Sequence, residues 1–89
     1  MLFRSIALTL YSRPGCHLCV HMKAVIARVM RAVPSTLEEI DISGNAELEA
    51  TYGLEIPVLL VDGKKAAKYR VTQEALTRLL RPGNTGGPG

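Results

Sequence analysis

The hydrophobic period of the chain changes abruptly at residues 12–15. Before this point, Ile6, Leu8 and Leu10 alternate with other residues, which is typical of a buried β-strand. Residues 12–15 read Ser-Arg-Pro-Gly, a composition that favours a turn. Beyond the turn, apolar side chains recur at steps of three and four residues, at Leu18, Met22, Val25, Ile26, Val29 and Val33. This second pattern predicts an amphipathic helix that ends at Pro34.

The middle of the chain predicts an edge strand followed by a short helix. Residues 37–42 alternate between apolar and acidic side chains, so only one face of this strand is expected to be buried, as in an edge strand. Ser43 or Asn45 is the predicted N-cap of a brief acidic helix. Gly53 is expected to end that helix in the left-handed conformation that suits glycine.

A hairpin and a closing helix complete the predicted elements. Residues 58–61 are continuously apolar, as in a central strand covered on both faces, and Asp62-Gly63 is a tight-turn signal. A more polar strand is expected near residues 65–71, and Thr72 is the predicted N-cap of the last helix. The order of elements predicts an α/β fold that begins with a parallel crossover.

The length and the cysteine content limit the class of protein. A chain of 89 residues has room for one domain, predicted to span residues 1–81, and the Gly/Pro-rich residues 82–89 are expected to be a disordered tail. Two cysteines cannot form the disulfide framework of a small secreted protein. The first ten residues lack a signal-peptide core, and no run approaches the roughly 18 apolar residues of a membrane helix. We therefore expect a cytoplasmic protein with no membrane contact.

Charged residues are arranged in blocks along the chain. All five before Glu38 are basic, all seven from Glu38 to Asp62 are acidic, and six of the seven after Asp62 are basic. The first and last helices therefore share a positive character, and a face that carried both would attract anions. The alternative is that these are ordinary solvated helix faces. Nucleic acid is not an expected partner, because the net charge is only +3 and the chain has no Trp and one Phe for base stacking.

Cys16 and Cys19 are the residues that carry chemistry. They lie three residues apart at the predicted start of the first helix, which places both sulfurs on nearly the same helix face, close enough for a disulfide. Unpaired backbone N–H groups and the helix dipole favour a thiolate at Cys16, with smaller contributions expected from Arg13 and a protonated His17. Cys16 is therefore the predicted catalytic nucleophile, and the more enclosed Cys19 is the predicted resolving thiol.

A metal site is the alternative use of this segment. Cys16, His17, Cys19 and His21 are all ligand types, but on a helix the cysteine pair and the histidine pair diverge by roughly 100° or more. The chain has no other Cys or His to complete a tetrahedral site, so no metal is expected and the histidines are interpreted as polar-face residues. An iron–sulfur cluster shared between two chains stays open, since each chain would supply few thiolates.

Three short segments that lie far apart in the chain form a further pattern when taken together. Residues 10–16 read LYSRPGC, Ile56-Pro57 precedes a hydrophobic strand, and Val61-Asp62-Gly63 ends it. Together they resemble the glutaredoxin-like branch of the thioredoxin superfamily, and the likeness covers residues 6–80. The resemblance implies a thioredoxin-like fold, with the elements in the order βαβαββα, a four-stranded mixed sheet and helices on both faces.

The resemblance also implies substrate-binding roles for three residues outside the cysteine pair. In the family, a cis-proline packs beside the thiols and the residue before it offers its backbone to an extended substrate, roles that fall to Pro57 and Ile56. Without the resemblance, the bond between them would be trans by default, and a proline that opens a strand also has a structural explanation. Arg13 stands where a family lysine contacts a carboxylate of glutathione.

Other positions depart from the family pattern. The Gly-Gly pair and the acidic or hydroxyl residues that hold the amine of glutathione are replaced by residues 66–70, which read Ala-Ala-Lys-Tyr-Arg. His17-Leu18 replaces the common Pro-Tyr between the cysteines, and redox potentials in the superfamily vary over roughly −270 to −120 mV. We expect no tightly bound cofactor, and glutathione is a candidate co-substrate.

Three functions compete on these observations. The expected one is an enzyme, a monomeric thiol–disulfide oxidoreductase that acts on disulfides of proteins or small molecules and is reduced by glutathione or by a reductase protein. The alternatives are an iron–sulfur or metal carrier on the same fold and a redox-silent interaction module. The intact cysteine pair weighs against the interaction module.

Overall fold

Four strands and three helices follow one another in the predicted order within residues 5–80, which the computed structural model describes. They are β1 (Ile6–Ser12), α1 (His17–Met30), β2 (Ser35–Asp41), α2 (Ala46–Tyr52), β3 (Val58–Val61), β4 (Lys64–Lys68) and α3 (Gln73–Leu80). None of these helices has the length and apolar character needed to cross a membrane. The tail expected at residues 82–89 lies outside the described residues.

The strands form one mixed sheet in the order β2-β1-β3-β4. β1 pairs with β2 in parallel, with α1 as the crossover between them, and β3 runs antiparallel to both β1 and β4. The predicted crossover and the predicted edge position of β2 are therefore confirmed. Because Tyr11 near the end of β1 lies opposite Val58 at the start of β3, the turn after β1 and the segment before β3 meet at the same end of the sheet.

The main core lies between the sheet and the pair of helices α1 and α3. The alternation in β1 directs Leu8 and Leu10 to this face, where the apolar stripe of each helix covers them. Each fully buried aliphatic side chain contributes roughly 1.5–3 kcal/mol. The buried cluster consists of Leu8, Leu10, Met22, Val25, Ile26, Val29, Leu59, Leu76 and Leu80.

The opposite face of the sheet carries a thinner layer. Tyr11 points to this side, and its ring stacks on that of Tyr52 in α2, with the ring centroids 4.3 Å apart. Helices on both faces are therefore confirmed. Leu60 also points to this side but is only half-buried, because a seven-residue helix covers part of the face. The prediction that the whole of β3 is covered on both faces is wrong for this reason.

Side chains close the helix starts as the sequence predicts. The Asn45 side chain, not that of Ser43, accepts the Leu48 N–H at 3.0 Å and caps α2. The Thr72 hydroxyl oxygen accepts the Ala75 N–H at 3.0 Å and caps α3. Each such cap satisfies one of the N–H groups that a helix start leaves unpaired.

Several predicted ends are wrong by a few residues. α1 ends at Met30, before Pro34, and the N–H groups of Ala32 and Val33 donate to the Val29 carbonyl in a turn after the helix. β4 ends at Lys68, because Tyr69 takes a left-handed conformation with a φ of 67°.

In β2, apolar side chains lie on both faces rather than on the single face that the sequence predicts. Leu37 packs against the main core, and Ile40 is half-buried on the other face.

Gly53 does not adopt the left-handed conformation that the sequence predicts. Its φ is −55°, and its N–H continues the helical pattern by donating to the Glu49 carbonyl at 2.8 Å. A Cβ at this position would clash with that carbonyl oxygen and lie 2.8 Å from the Glu49 side-chain oxygen Oε1. Glycine is needed here for close approach to Glu49 rather than for a positive φ.

Replacing Gly53 with Ala is therefore expected to destabilise the fold by about 1–3 kcal/mol, the usual cost of overpacking. Thr51→Ala, at an exposed position of the same helix, serves as the control and should change stability by less than about 0.5 kcal/mol. Urea unfolding followed by circular dichroism measures both. Equal stability of the two variants would show that α2 relaxes freely around the new methyl group.

Candidate active site

The two cysteines lie where β1 passes into α1. The turn between β1 and α1 contains Gly15 with a φ of 79°, a conformation that costs glycine little. Cys16 then serves as the N-cap of α1, and its Sγ accepts the backbone N–H of Cys19 at 3.0 Å. A sulfur atom thus takes the place of the oxygen that usually caps a helix. The first turn of α1 has no acidic residue, so nothing on the helix itself opposes a negative charge on Cys16.

The two sulfurs lie at disulfide distance, and the Cα atoms are 5.2 Å apart, within the usual range for a disulfide. The pair can therefore open and close without a large backbone movement. Cys16 is half-buried, whereas Cys19 is only 4% exposed. The predicted difference in enclosure between the two cysteines is confirmed.

A cleft of about 500 Å³ opens beside the cysteine pair, and we call it the dithiol cleft. Three of its charged residues escaped the sequence analysis, namely Lys23 on α1 and Glu39 and Asp41 on β2. The strand register explains the position of Glu39 and Asp41, because Asp41 pairs with Ser12, the last residue of β1. The cleft is lined by Ser12, Arg13, Pro14, Gly15, Cys16, Cys19, Val20, Lys23, Glu39 and Asp41.

Hydrogen bonds hold both acidic residues of the cleft in their charged form. Glu39 Oε1 lies 2.7 Å from Lys23 Nζ, and Glu39 Oε2 accepts the Ser12 hydroxyl at 3.0 Å. The Lys23 bond, helped by that of Ser12, lowers the pKa of Glu39 despite partial burial. Asp41 accepts both the hydroxyl and the backbone N–H of Ser43, and these bonds, with a smaller contribution from Arg13, lower the pKa of Asp41.

Arg13 lies at the cleft with its charge already countered. Its Nη2 donates to Oε1 of Glu49 on α2, which forms an ion pair between the active-site turn and the opposite face of the sheet. Its Nε is enclosed by protein and has no hydrogen-bond partner among the described residues. The predicted contact of Arg13 with a substrate carboxylate stays a prediction, and in this structure Arg13 bonds the carboxylate of Glu49.

Pro57 lies at the same end of the sheet as the cysteines. The Ile56–Pro57 bond is cis, as the resemblance predicts, and Pro57 is fully buried. Tyr69 forms two hydrogen bonds to this segment: its N–H donates to the Pro57 carbonyl at 2.8 Å, and its hydroxyl donates to the Leu54 carbonyl at 3.0 Å. Tyr69 was not among the predicted site residues, because its only local signal is its position just after β4.

The cleft does not bring together all of the predicted site residues. Arg13, Cys16 and Cys19 line it, whereas Ile56 and Pro57 do not. The two histidines of the metal hypothesis are exposed. Within residues 5–80, no three His, Cys, Asp or Glu side chains are placed to hold a metal ion.

The sheet order, the Cys-x-x-Cys pair at the start of α1 and the cis-proline before β3 define a thioredoxin-fold domain with a glutaredoxin-like dithiol site. Residues 7–81 match the Glutaredoxin-like domain family (DUF836), and the chain belongs to this family. The resemblance found in the sequence and the α/β fold implied by it are both confirmed.

Individual relatives agree with this assignment. The chain is 34% identical to the glutaredoxin-like protein YDR286C homolog of Dictyostelium discoideum over 80 residues, which cover 83% of this chain and 74% of that protein. The solution structure of protein Ne2328 from Nitrosomonas europaea superposes with a TM-score of 0.79 at 29% identity, covering 91% of this chain and 98% of the other. A mutant thioredoxin from Halobacterium salinarum shares the fold, with a TM-score of 0.63 at 21% identity over 85% of this chain and 72% of its own.

Replacing Glu39 with Gln is expected to destabilise the protein at neutral pH but not in acid. Because its bonds to Lys23 and Ser12 depress the pKa of Glu39 below the ordinary 4.5, the fold favours the ionised carboxylate. That contribution is complete above the unfolded-state pKa and is lost as the pH falls through the lower folded-state pKa. Since the side chain is 37% exposed, the loss should stay below about 1 kcal/mol.

Urea unfolding of the wild type and of Glu39→Gln between about pH 7 and pH 3 measures this difference, which should shrink below pH 4.5. Glu38→Gln, an exposed neighbour on the same strand, is the matched control. A difference for Glu39→Gln that does not change with pH contradicts the ion pair as its source.

Proposed function

We propose that this chain is a thiol–disulfide oxidoreductase in which Cys16 attacks a substrate disulfide and Cys19 resolves the product. The observation that carries the proposal is the position of Cys16 Sγ as the N-cap of α1, where it accepts the Cys19 N–H at 3.0 Å. A thiolate is the reactive form of cysteine, and the unpaired N–H groups of a helix start favour it. The enclosed Cys19 keeps its proton longer and therefore acts second.

The reaction proceeds by two exchanges that conserve atoms and electrons. The Cys16 thiolate attacks one sulfur of the substrate disulfide, forms a mixed disulfide, and releases the other sulfur as a thiolate that takes a proton from water. Cys19 then loses its proton and attacks Cys16 Sγ, which forms the Cys16–Cys19 disulfide and releases the second substrate thiol. A reductant, either glutathione or a reductase protein, returns the pair to the dithiol.

The helix start is the main source of thiolate stabilisation in this proposal. Arg13 is paired with Glu49, so its charge is largely compensated, and His17 is exposed. The backbone N–H of Cys19, in contrast, points directly at Cys16 Sγ. A hydrogen bond to the charged form lowers the pKa of the group that accepts it.

Protein disulfides are the proposed substrates, with glutathione disulfide as a candidate co-substrate. The backbone of Ile56 is the proposed contact for an extended substrate strand, and Pro57 the residue that holds this backbone in place. The support is their position at the cysteine end of the sheet and the bracing of this segment by Tyr69. A cytoplasmic location fits a dithiol that must be kept reduced.

The pH dependence of Cys16 alkylation tests the thiolate. In reduced Cys19→Ser protein, the apparent pKa of Cys16 is expected to lie clearly below the roughly 8.5 of a free thiol. Iodoacetamide rates measured from about pH 5 to pH 10 give this value. An unshifted titration would overturn the role of the helix start.

Trapping of the mixed disulfide tests whether Cys16 attacks the substrate and Cys19 resolves the product. Reduced Cys19→Ser protein, offered a protein disulfide or glutathione disulfide, should accumulate one adduct per chain on Cys16, because the resolving step is absent. Cys16→Ser is the matched control and should form far less adduct, since Cys19 is enclosed. Mass spectrometry identifies the site, and the lack of any adduct in Cys19→Ser would falsify the nucleophile assignment.

A further inference from the structure

Both cations that line the dithiol cleft are paired with carboxylates of the chain itself. Lys23 is held by Glu39 at 2.7 Å, and Arg13 is held by Glu49. The remaining carboxylate, Asp41, is held by Ser43 and by no lysine or arginine within bonding distance among the described residues. Of the charged residues within 5–80, two cations and three carboxylates therefore meet around the cleft, and their excess charge is negative.

No other cation described in residues 5–80 lines this cleft to reverse the excess. On β4, Lys65 and Lys68 pair with Glu55 at 2.6 Å and 3.5 Å. The helical arginines Arg28 and Arg31 do not line the cleft. The positive character that the sequence predicts for α1 and α3 therefore does not extend to the cysteine pair.

An anionic ligand would have to compete for Arg13. Oε1 of Glu49 already accepts from Nη2, and Nε is enclosed where a ligand does not reach it. A substrate carboxylate that bonded the remaining N–H groups would meet a guanidinium whose charge Glu49 already balances, and it would lie near a second carboxylate. A neutral or basic substrate meets no such competition, and a basic one is attracted by Asp41.

We infer that the dithiol cleft selects disulfides with neutral or basic flanking groups and discriminates against anionic ones, with Glu49 and Asp41 as the specificity-determining residues. The inference rests on the proposed function, since it names the class of disulfide that Cys16 attacks. Glutathione disulfide, which carries carboxylates, belongs to the disfavoured class. Protein disulfides with lysine or arginine near the cysteine belong to the favoured class.

A series of small disulfides of different charge tests the inference. Cystamine is cationic, hydroxyethyl disulfide neutral and dithiodipropionate anionic. Each variant is built on Cys19→Ser and reduced beforehand, so that one thiol released per chain reports the attack by Cys16 alone. Every rate is divided by the rate of the Cys19→Ser parent with the same disulfide, because this ratio cancels differences between the leaving thiols.

Glu49→Gln and Asp41→Asn are each expected to raise the rate with the anionic disulfide about two- to fivefold and to lower the rate with cystamine by a similar factor. The rate with the neutral disulfide should stay within about twofold, which also shows that Cys16 and the fold are intact. Salt of about 0.5 M should reduce both effects. Glu47→Gln is the matched control, since it removes an exposed carboxylate of the same helix that is not the partner of Arg13.

The outcomes separate the inference from the proposed function. If all three disulfides react and neither Glu49→Gln nor Asp41→Asn changes their relative rates, the charge selectivity is wrong and the oxidoreductase stands. Equal effects of Glu47→Gln and Glu49→Gln would also overturn it, because net charge alone would then explain the result. If no disulfide releases a thiol from Cys19→Ser, the proposed function is wrong and the inference falls with it. Should Glu49→Gln unfold α2, Asp41→Asn on β2 decides the question.

Discussion

The packing of α1 against the two central strands determines where that helix begins, and the rest of the site depends on this. Met22 and Ile26 are buried in one cluster with Leu10 and Leu59, so α1 packs on the face formed by β1 and β3. The first turn of the helix therefore lies at the end of β1, with Cys16 at its N-cap. The same apolar contacts that stabilise the fold thus place a sulfur atom among the unpaired N–H groups of a helix start.

The edge strand β2 contributes the electrostatic part of the site. Its parallel pairing with β1 places Glu39 and Asp41 on the face that α1 covers, at the cysteine end of the sheet. Lys23 reaches Glu39 from the helix, and Ser12 reaches it from β1, so three elements meet in one polar cluster. A cluster of this kind fixes side chains beside the cysteines without adding a net positive charge that would attract anions.

Two long-range contacts connect this site to the remainder of the chain. The ion pair between Arg13 and Glu49 joins the active-site turn to α2, whose Tyr52 ring also stacks on that of Tyr11 in β1. Tyr69 in turn holds the segment before β3 by two hydrogen bonds. Both contacts use residues far from the cysteines in the chain, which explains how a fold of this size organises the surroundings of its dithiol.

The sequence by itself determined the order of the elements, the Thr72 cap, and the location of the cysteine pair at a helix start, and it narrowed the cap of α2 to Ser43 or Asn45. These features depend on local periods and on hydrogen bonds between near neighbours, which a single chain displays directly. The tertiary structure alone decided that Glu39 and Asp41 line the cleft and that Glu49 forms an ion pair with Arg13. It also decided that Gly53 is needed because its backbone lies close to Glu49. These depend on strand register and on packing between distant segments, and local pattern carries no record of either.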